Sequence, residues 1–255
     1  MRVADITEFY DLHCHFLPGM DDGCQTPEET LKLLEEQYRQ GCRGVAATPH
    51  YYARESIQSF LDRRENAAAR LVQALKNRSG APIPSMTFGA EVAYRETLVN
   101  ERELERLCLG KSRYLLLEMP FNPWTERTLR GVERLANTWG IIPIIAHIER
   151  YAGIAEEAYL EELMDSDFPI QLNAGNFGRH KSERNALRLI RGGRIQVLGT
   201  DSHNTDRRPP NMNLAIQSLK RHGMAEELEE ILQTNAEIFR SARGGRSRAE
   251  ESAEL

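Results

Sequence analysis

Short apolar runs recur along this chain, and nearly every one is followed by a longer stretch with apolar residues at helical spacing. Runs with strand character cover Phe9 to His13, Gly44 to Thr48, Thr87 to Glu91, Tyr114 to Glu118, Ile141 to His147, Ile170 to Asn173 and Ile195 to Thr200. None alternates polar and apolar residues for long, which is the pattern of strands buried on both faces of a parallel sheet. Between them lie helix signatures. Thr26-Pro27-Glu28-Glu29 supplies an N-cap, a first-turn proline and a capping-box glutamate, with Leu31, Leu34 and Tyr38 on one face and Gly41 as a stop. Similar stretches occupy about 56–78, 125–139, 155–165, 183–191 and 213–220. About seven strand and helix alternations predict an α/β chain of the βα-repeat barrel type rather than an open sheet joined to a second domain.

Such a barrel brings the C-terminal ends of its strands to one rim, where this fold places active sites. The polar residues of the chain gather at those ends. His13-Cys14-His15 closes the first strand, and residues two apart in extended backbone point to the same side, so both imidazoles can face one ion. His50, Glu91, Glu118 and His147 end later strands, Asp201 and His203 repeat the two-residue spacing at the last, and Asp22 follows the first. Nine candidate metal ligands therefore meet on one rim: His13, His15, Asp22, His50, Glu91, Glu118, His147, Asp201 and His203. A lone histidine after a strand is usually a hydrogen-bonded loop residue. Five of the seven histidines at strand ends are not explained that way, and only His180 and His222 lie elsewhere. Imidazole with carboxylate and no thiolate suits Mn²⁺, Fe²⁺ or Zn²⁺ in an open catalytic site, and nine ligands suit two or three ions that share bridging carboxylates.

Composition narrows the function classes. At 255 residues the chain can bury a core without disulfides, and four scattered cysteines lacking C-x-x-C spacing fit reduced thiols in a cytoplasmic setting. No apolar run is long enough to span a bilayer, and residues 1–5 lack the features of a signal peptide. A net charge of -5 and a pI near 5.9 argue against nucleic acid as partner. Ligands spread from 13 to 203 require one domain, expected over 1–242. A tail without apolar periodicity follows at 243–255 and is expected to be disordered.

His13-x-His15, Asp21-Asp22-Gly23, Thr48-Pro49-His50, Gly89-Ala90-Glu91, Ala146-His147-x-Glu149-Arg150 and Gly199-Thr200-Asp201-Ser202-His203-Asn204 together resemble the polymerase and histidinol phosphatase (PHP) superfamily. Leu17-Pro18-Gly19-Met20-Asp21-Asp22-Gly23, His147-Ile148-Glu149-Arg150-Tyr151 and Asp206-Arg207-Arg208-Pro209-Pro210 resemble its capsule-locus branch, the manganese-dependent protein-tyrosine phosphatases of the CpsB/YwqE type. The resemblance spans about residues 9 to 240. It implies a distorted TIM-like (β/α)7 barrel with a trinuclear site at the strand C-terminal rim. His13, His15, Glu91 and Asp201 would hold one ion, Glu91 would bridge to a second on His50, Glu118 and His147, and Asp22 and His203 would hold the third. Carboxylates at 22 and 118, where other branches often carry histidine, favour the tyrosine-phosphatase branch. The loop Tyr51-Tyr52-Ala53-Arg54-Glu55 departs from that branch, which is more basic there.

The branch further implies that Arg150 and Arg208 bind the phosphoryl group. Its implied partner is the phosphotyrosine-bearing C-terminal segment of a bacterial tyrosine kinase that acts as polysaccharide co-polymerase, which places the chain in control of capsule or exopolysaccharide synthesis. A phenol leaving group has a pKa of about 10 and needs little general-acid help, and Asp206 is the candidate acid. Phe121, Trp124, Tyr51, Tyr52 and Phe177 follow strand ends and could flank a substrate ring, although packing is the leading reading for each. The Cys14 motif is a decoy: the H-C-x5-R signature of cysteine-dependent phosphatases would need arginine where Met20 stands. Three other functions share these features: a small-molecule phosphomonoesterase acting on histidinol phosphate, a nuclease, and a silent binding module.

Overall fold

The computed structural model describes residues 7–244 except 77 and 79, so the expected tail from 245 onward and the first six residues lie outside the described region. Its strands are β1 (Phe9–Cys14), β2 (Cys42–Ala47), β3 (His50–Tyr51), β4 (Ser85–Phe88), β5 (Glu91–Ala93), β6 (Tyr114–Glu118), β7 (Ile142–Ile145), β8 (Gln171–Asn173) and β9 (Val197–Gly199). The α-helices are α1 (Pro27–Arg39), α2 (Ile57–Lys76), α3 (Glu126–Trp139), α4 (Glu157–Met164), α5 (His180–Arg191), α6 (Met212–Arg221) and α7 (Ala225–Ala242). Every ladder is parallel.

Two expected strands are each broken in two. β2 and β3 are one strand interrupted at Thr48-Pro49, where proline has no N–H to donate, and β4 and β5 are one strand interrupted at Gly89-Ala90. The pairings then run β1 to β2 to β4, and β3 to β5 to β6 to β7, with β8 on β9. Single parallel bridges, Ile145 with Ile170 and Cys14 with Ser202, join these pieces at the two seams. The seven strand units thus follow one another around a distorted α/β barrel. The alternation lapses once: only two short 3-10 segments, Glu96–Asn100 and Leu104–Leu107, separate β5 from β6.

Local chemistry accounts for the elements that position the site. Helix α1 begins with the expected capping box, Thr26 Oγ1 accepting from Glu29 N at 3.3 Å while the Glu29 carboxylate accepts from Thr26 N. Strand β1 carries a bulge: Asp11 pairs with Val45 but Cys14 with Ala47, so three steps oppose two. The extra residue lets Leu12 join the barrel interior while His13 and His15 turn into the mouth and Cys14 turns out toward α1.

Leu12, Ala46, Leu116, Ile144, Ala146 and Val197 fill the interior, closed from below by Ile238, Phe239 and Ala242 of α7. Helix α7 was not anticipated, although its buried Leu228, Ile231, Asn235, Ile238, Phe239 and Ala242 keep helical spacing. Gly44 must lack a side chain because a Cβ there would lie 2.5 Å from the Phe239 ring. Asn235 donates to Tyr10 O at 2.8 Å and Leu198 O at 2.7 Å, tying α7 to both strands of the β1–β9 seam.

Candidate metal centre

At the opposite end of the barrel from α7, the structure brings all nine of the anticipated residues into one cluster. His13 Nε2 and His15 Nε2 are 3.2 Å apart, and each stands 3.2 Å from Glu91 Oε2. Asp201 Oδ1 lies 3.4 Å from the first nitrogen and 3.5 Å from the second. His147 Nε2 meets Glu91 Oε1 at 2.8 Å and Glu118 Oε1 at 3.5 Å. His50 faces two ways, Nδ1 at 3.1 Å from Glu91 Oε2 and Nε2 at 3.6 Å from Asp22 Oδ1. His203 Nε2 is 3.3 Å from that same Asp22 oxygen. Asp22 is the one solvent-exposed member, its side chain 64% accessible.

The donors fit divalent cations. Glu91 Oε2 is buried with three imidazole nitrogens within 3.2 Å, yet no hydrogen bond satisfies it or His50 Nδ1. An unsatisfied buried carboxylate oxygen costs free energy, so its retention calls for a partner that lone pairs converge on. Separations of 3.2 to 3.5 Å among the His13, His15, Glu91 and Asp201 atoms are those of donors about 2.1 Å from one shared centre. Three groups of potential metal-holding residues emerge: His13, His15 and Asp201; His50, Glu91 and Glu118; and His15, Asp22, His50 and His203.

A second layer aims the imidazoles, and sequence reasoning missed its roles. Gln171 Oε1 stands 3.1 Å from His13 Nδ1 and accepts from His147 N at 2.8 Å, while its amide nitrogen donates to Asn173 Oδ1. Asn173 in turn donates to Asp201 Oδ2 at 2.9 Å. Asp21 holds His15 Nδ1 at 2.7 Å, and Tyr151 Oη lies 3.2 Å from His147 Nδ1. Each contact occupies the outer ring nitrogen and leaves Nε2 facing inward. Asp11, fully buried, accepts from His13 N and from Thr200 N and Oγ1, clasping the two strand ends that carry His13, His15, Asp201 and His203. At Gly199 a Cβ would come within 2.9 Å of His13 Cβ, so the close approach of β9 to β1 needs glycine. His147 and Asp201 adopt left-handed backbone, φ 34° and 52°, a conformation that side chains rarely take and that clusters at functional sites.

The cluster is electrostatically extreme. Burial alone would push the His15 imidazole down, but the hydrogen bond to Asp21 and the negative charge of Asp21 and Glu91 hold it up at about 10. His147, likewise buried, is held up at about 9 by Glu118 and Glu91. Burial works against ionisation of Asp21, yet the His15 contact brings it down to about 2. Glu91 and Asp201 are held well below the usual carboxylate range against their burial, with His13 the strongest opposing partner of each. His203 is instead pushed down to about 4 by burial and by the charges of His15 and Arg208.

Around the rim, Arg150 reaches Asp201 Oδ2, and Arg208 donates to Asp201 Oδ1 and His203 Nε2, each at 2.7 Å. Asp206 is exposed on the same loop, and among the described residues its carboxylate makes no contact with the cluster. Of the five aromatics read as packing residues, Trp124, Tyr51 and Phe177 are buried. Tyr52 and Phe121 are not: they are 45% and 53% accessible, Tyr52 stacked on His50 and Phe121 on His147. Cys14 is buried away from the cluster, Sγ 3.2 Å from Ser202 Oγ, and burial pushes its thiol well above the ordinary value.

Comparison with known proteins agrees with this architecture. The profile of the capsular polysaccharide synthesis family CpsB/CapC matches residues 9–239. The tyrosine-protein phosphatase YwqE of Bacillus subtilis is 30% identical over 241 residues, 90% of this chain and 90% of that protein. The tyrosine-protein phosphatase CpsB of Streptococcus pneumoniae is 28% identical over 236 residues, 88% of this chain and 95% of that protein. A crystal structure from work on these two proteins, described as metal-dependent tyrosine phosphatases, superposes with a TM-score of 0.76 at 22% identity, covering 93% of this chain and 96% of that one. The phosphotriesterase homology protein of Escherichia coli shares the fold more distantly, with a TM-score of 0.52 at 12% identity, covering 91% and 98%.

Proposed function

This chain belongs to the CpsB/CapC family of capsular polysaccharide synthesis, and on that premise we propose that it is a metal-dependent protein-tyrosine phosphatase. Its substrate in this reading is a phosphotyrosine segment of a bacterial tyrosine kinase that regulates capsule or exopolysaccharide assembly. The carrying observation is the convergence of nine imidazole and carboxylate side chains with two arginines on one rim. No thiol is available to attack phosphorus, because the four cysteines are buried and held protonated.

His13, His15, Glu91 and Asp201 would hold one ion, and Glu91, Glu118 and His147 a second. Asp22 and His203 would hold a third, and His50, with Nδ1 3.1 Å from Glu91 Oε2 and Nε2 3.6 Å from Asp22 Oδ1, would complete the second beside it. Bound there, divalent ions, Mn²⁺ in this reading, would supply an acidified water and positive charge for the phosphoryl oxygens. Three divalent ions would bring the formal charge from -5 to +1, in keeping with an anionic substrate.

The chain's own groups do the rest. Arg150 and Arg208 would exchange their contacts with Asp201 for the phosphoryl oxygens, a geometry that a guanidinium fork matches in two places at once. Gln171, Asp21 and Tyr151 hold the ligand rings in place, and Asn173 holds the Asp201 carboxylate. Phe121 and Tyr52 offer exposed ring faces beside His147 and His50, which favours an aryl ester over an alkyl one. The absence of any helix, among the described residues, long and apolar enough to cross a membrane fits action in the cytoplasm.

A single manganese-supplemented assay tests the reading against its rivals. Phosphotyrosine peptide, histidinol phosphate and single-stranded DNA are compared at equal enzyme. Preferential release of phosphate from the peptide, abolished by chelator and unaffected by thiol alkylation, is expected. Faster turnover of histidinol phosphate or DNA would move the chain to another branch, and full activity in chelator would end the metal-dependent reading.

A further inference from the structure

A cavity of about 570 Å³ opens beside the cluster on the arginine side, and its walls include Arg150, Arg208, Arg179, Arg207 and Asn176. The first two are already engaged with Asp201. Arg179 and Arg207 are different: among the described residues neither guanidinium has a carboxylate within ion-pair distance, and both are exposed at the cavity wall. Nor is the position of Arg207 casual. Asn204 Oδ1 accepts from the backbone N–H groups of Asp206, Arg207 and Arg208 at 3.1, 2.7 and 3.1 Å, fixing a turn that carries Arg207 and Arg208 together. Arg179 stands at the start of α5, where the helix end is already positive and a cation is of the unfavourable sign. The cavity wall carries four arginines against two carboxylates, Glu149 and Asp201, so it is formally positive and suits an anion.

We propose that this cavity is a second anion subsite, in which Arg179 and Arg207 bind a phosphoryl or carboxylate group carried by the same substrate chain as the scissile phosphotyrosine. The cavity and the cluster share Arg150, Asp201 and Arg208, so the second anion would sit close along the chain to the scissile group, at a proposed spacing of two residues, about 7 Å in extended backbone. Volume supports the assignment, since a space of several hundred Å³ admits a whole side chain. This rests on the cluster being the phosphate-releasing centre. Arg179 and Arg207 set substrate preference, while the reaction itself belongs to the residues on the rim.

The test uses manganese-loaded enzyme and three phosphotyrosine peptides that differ two residues from the scissile group: neutral, glutamate, or a second phosphotyrosine. Wild-type kcat/KM should favour both anionic peptides over the neutral one by about tenfold or more, chiefly through KM, and the margin should shrink as salt is raised. In the Arg179→Ala, Arg207→Ala double variant the three peptides should fall within about twofold of one another, while turnover of p-nitrophenyl phosphate stays at the wild-type rate. A preference for one anionic peptide alone identifies the anion as carboxylate or phosphoryl. Absence of any preference in the wild type, its survival in the double variant, or loss of p-nitrophenyl phosphate turnover in that variant would each overturn the proposal. If the wild type hydrolyses none of these esters, the phosphatase reading has failed, a result distinct from an active enzyme that lacks preference.

Discussion

Replacing Asp21 by asparagine isolates the second layer of the metal centre. Asp21 is not among the nine clustered residues, but its Oδ2 holds His15 Nδ1 at 2.7 Å and accepts from His50 N at 2.9 Å, while Oδ1 accepts from Gly23 N at 2.9 Å. Asparagine keeps the shape and loses the charge. Whichever way the amide turns, its NH₂ faces a donor, so at least one N–H is left unpaired and the charge-assisted bond to His15 is gone. A hydrogen bond to a charged group contributes about 1.5–3 kcal/mol. Loss of an outer contact to a metal-ligating histidine typically weakens metal binding about 10- to 100-fold, which at about 1.4 kcal/mol per decade is the same range. The expected variant therefore folds, binds Mn²⁺ about 10- to 100-fold more weakly by competition with a calibrated chelator, and regains most of its kcat/KM at saturating Mn²⁺. Unchanged affinity would refute the orienting role. Activity that no Mn²⁺ concentration restores would refute it too, by making Asp21 a ligand itself.

Three further outcomes are expected. Phe121→Ala removes a ring that is 53% accessible, so thermal stability should hardly change, while KM for an aryl phosphate should rise about 3- to 10-fold, the equivalent of a ring contact of about 0.5–1.5 kcal/mol; an equal effect on an alkyl phosphate would count against ring recognition. Arg208→Lys keeps the charge but loses the fork that meets both Asp201 and His203, and kcat/KM should fall about 100-fold; a loss under threefold would remove Arg208 from phosphoryl binding. With His15 raised to about 10 and His147 to about 9 in the metal-free protein, both carry a proton at pH 7 that a cation must displace. Calorimetry in buffers of different ionisation enthalpy should show proton release on metal binding at pH 7, with affinity that rises with pH and levels off above about 10; affinity flat between pH 6 and 8 would contradict this.

What the sequence made legible, and what it did not, follows from the range of the interactions. Ligand positions could be read because strand C-termini in a βα barrel share a rim, so that residues as distant as His13 and Asp201 are brought together by topology alone. The two-residue spacing of His13 and His15 correctly put Cys14 on the other face. The bulge that turns that pair inward was invisible, since it depends on register against β2. Gln171 and Asn173 read as ordinary strand residues because their partners lie 158 and 28 residues away. Asp21 was noted only as part of a motif. Helix α7 escaped for another reason: its apolar residues have the right spacing, but it stands outside the strand and helix alternation, with no strand after it. Tyr52 and Phe121 could not be separated from Tyr51, Trp124 and Phe177 without knowing which rings the helices cover.

The central claim is that these nine residues hold divalent cations. Anomalous diffraction at the manganese edge from Mn²⁺-loaded crystals tests it most directly. The account predicts two or three strong peaks, one amid His13, His15, Glu91 and Asp201, one by Glu118 and His147, and one by Asp22 and His203. A loaded, active enzyme whose anomalous peaks lie away from this cluster would contradict it.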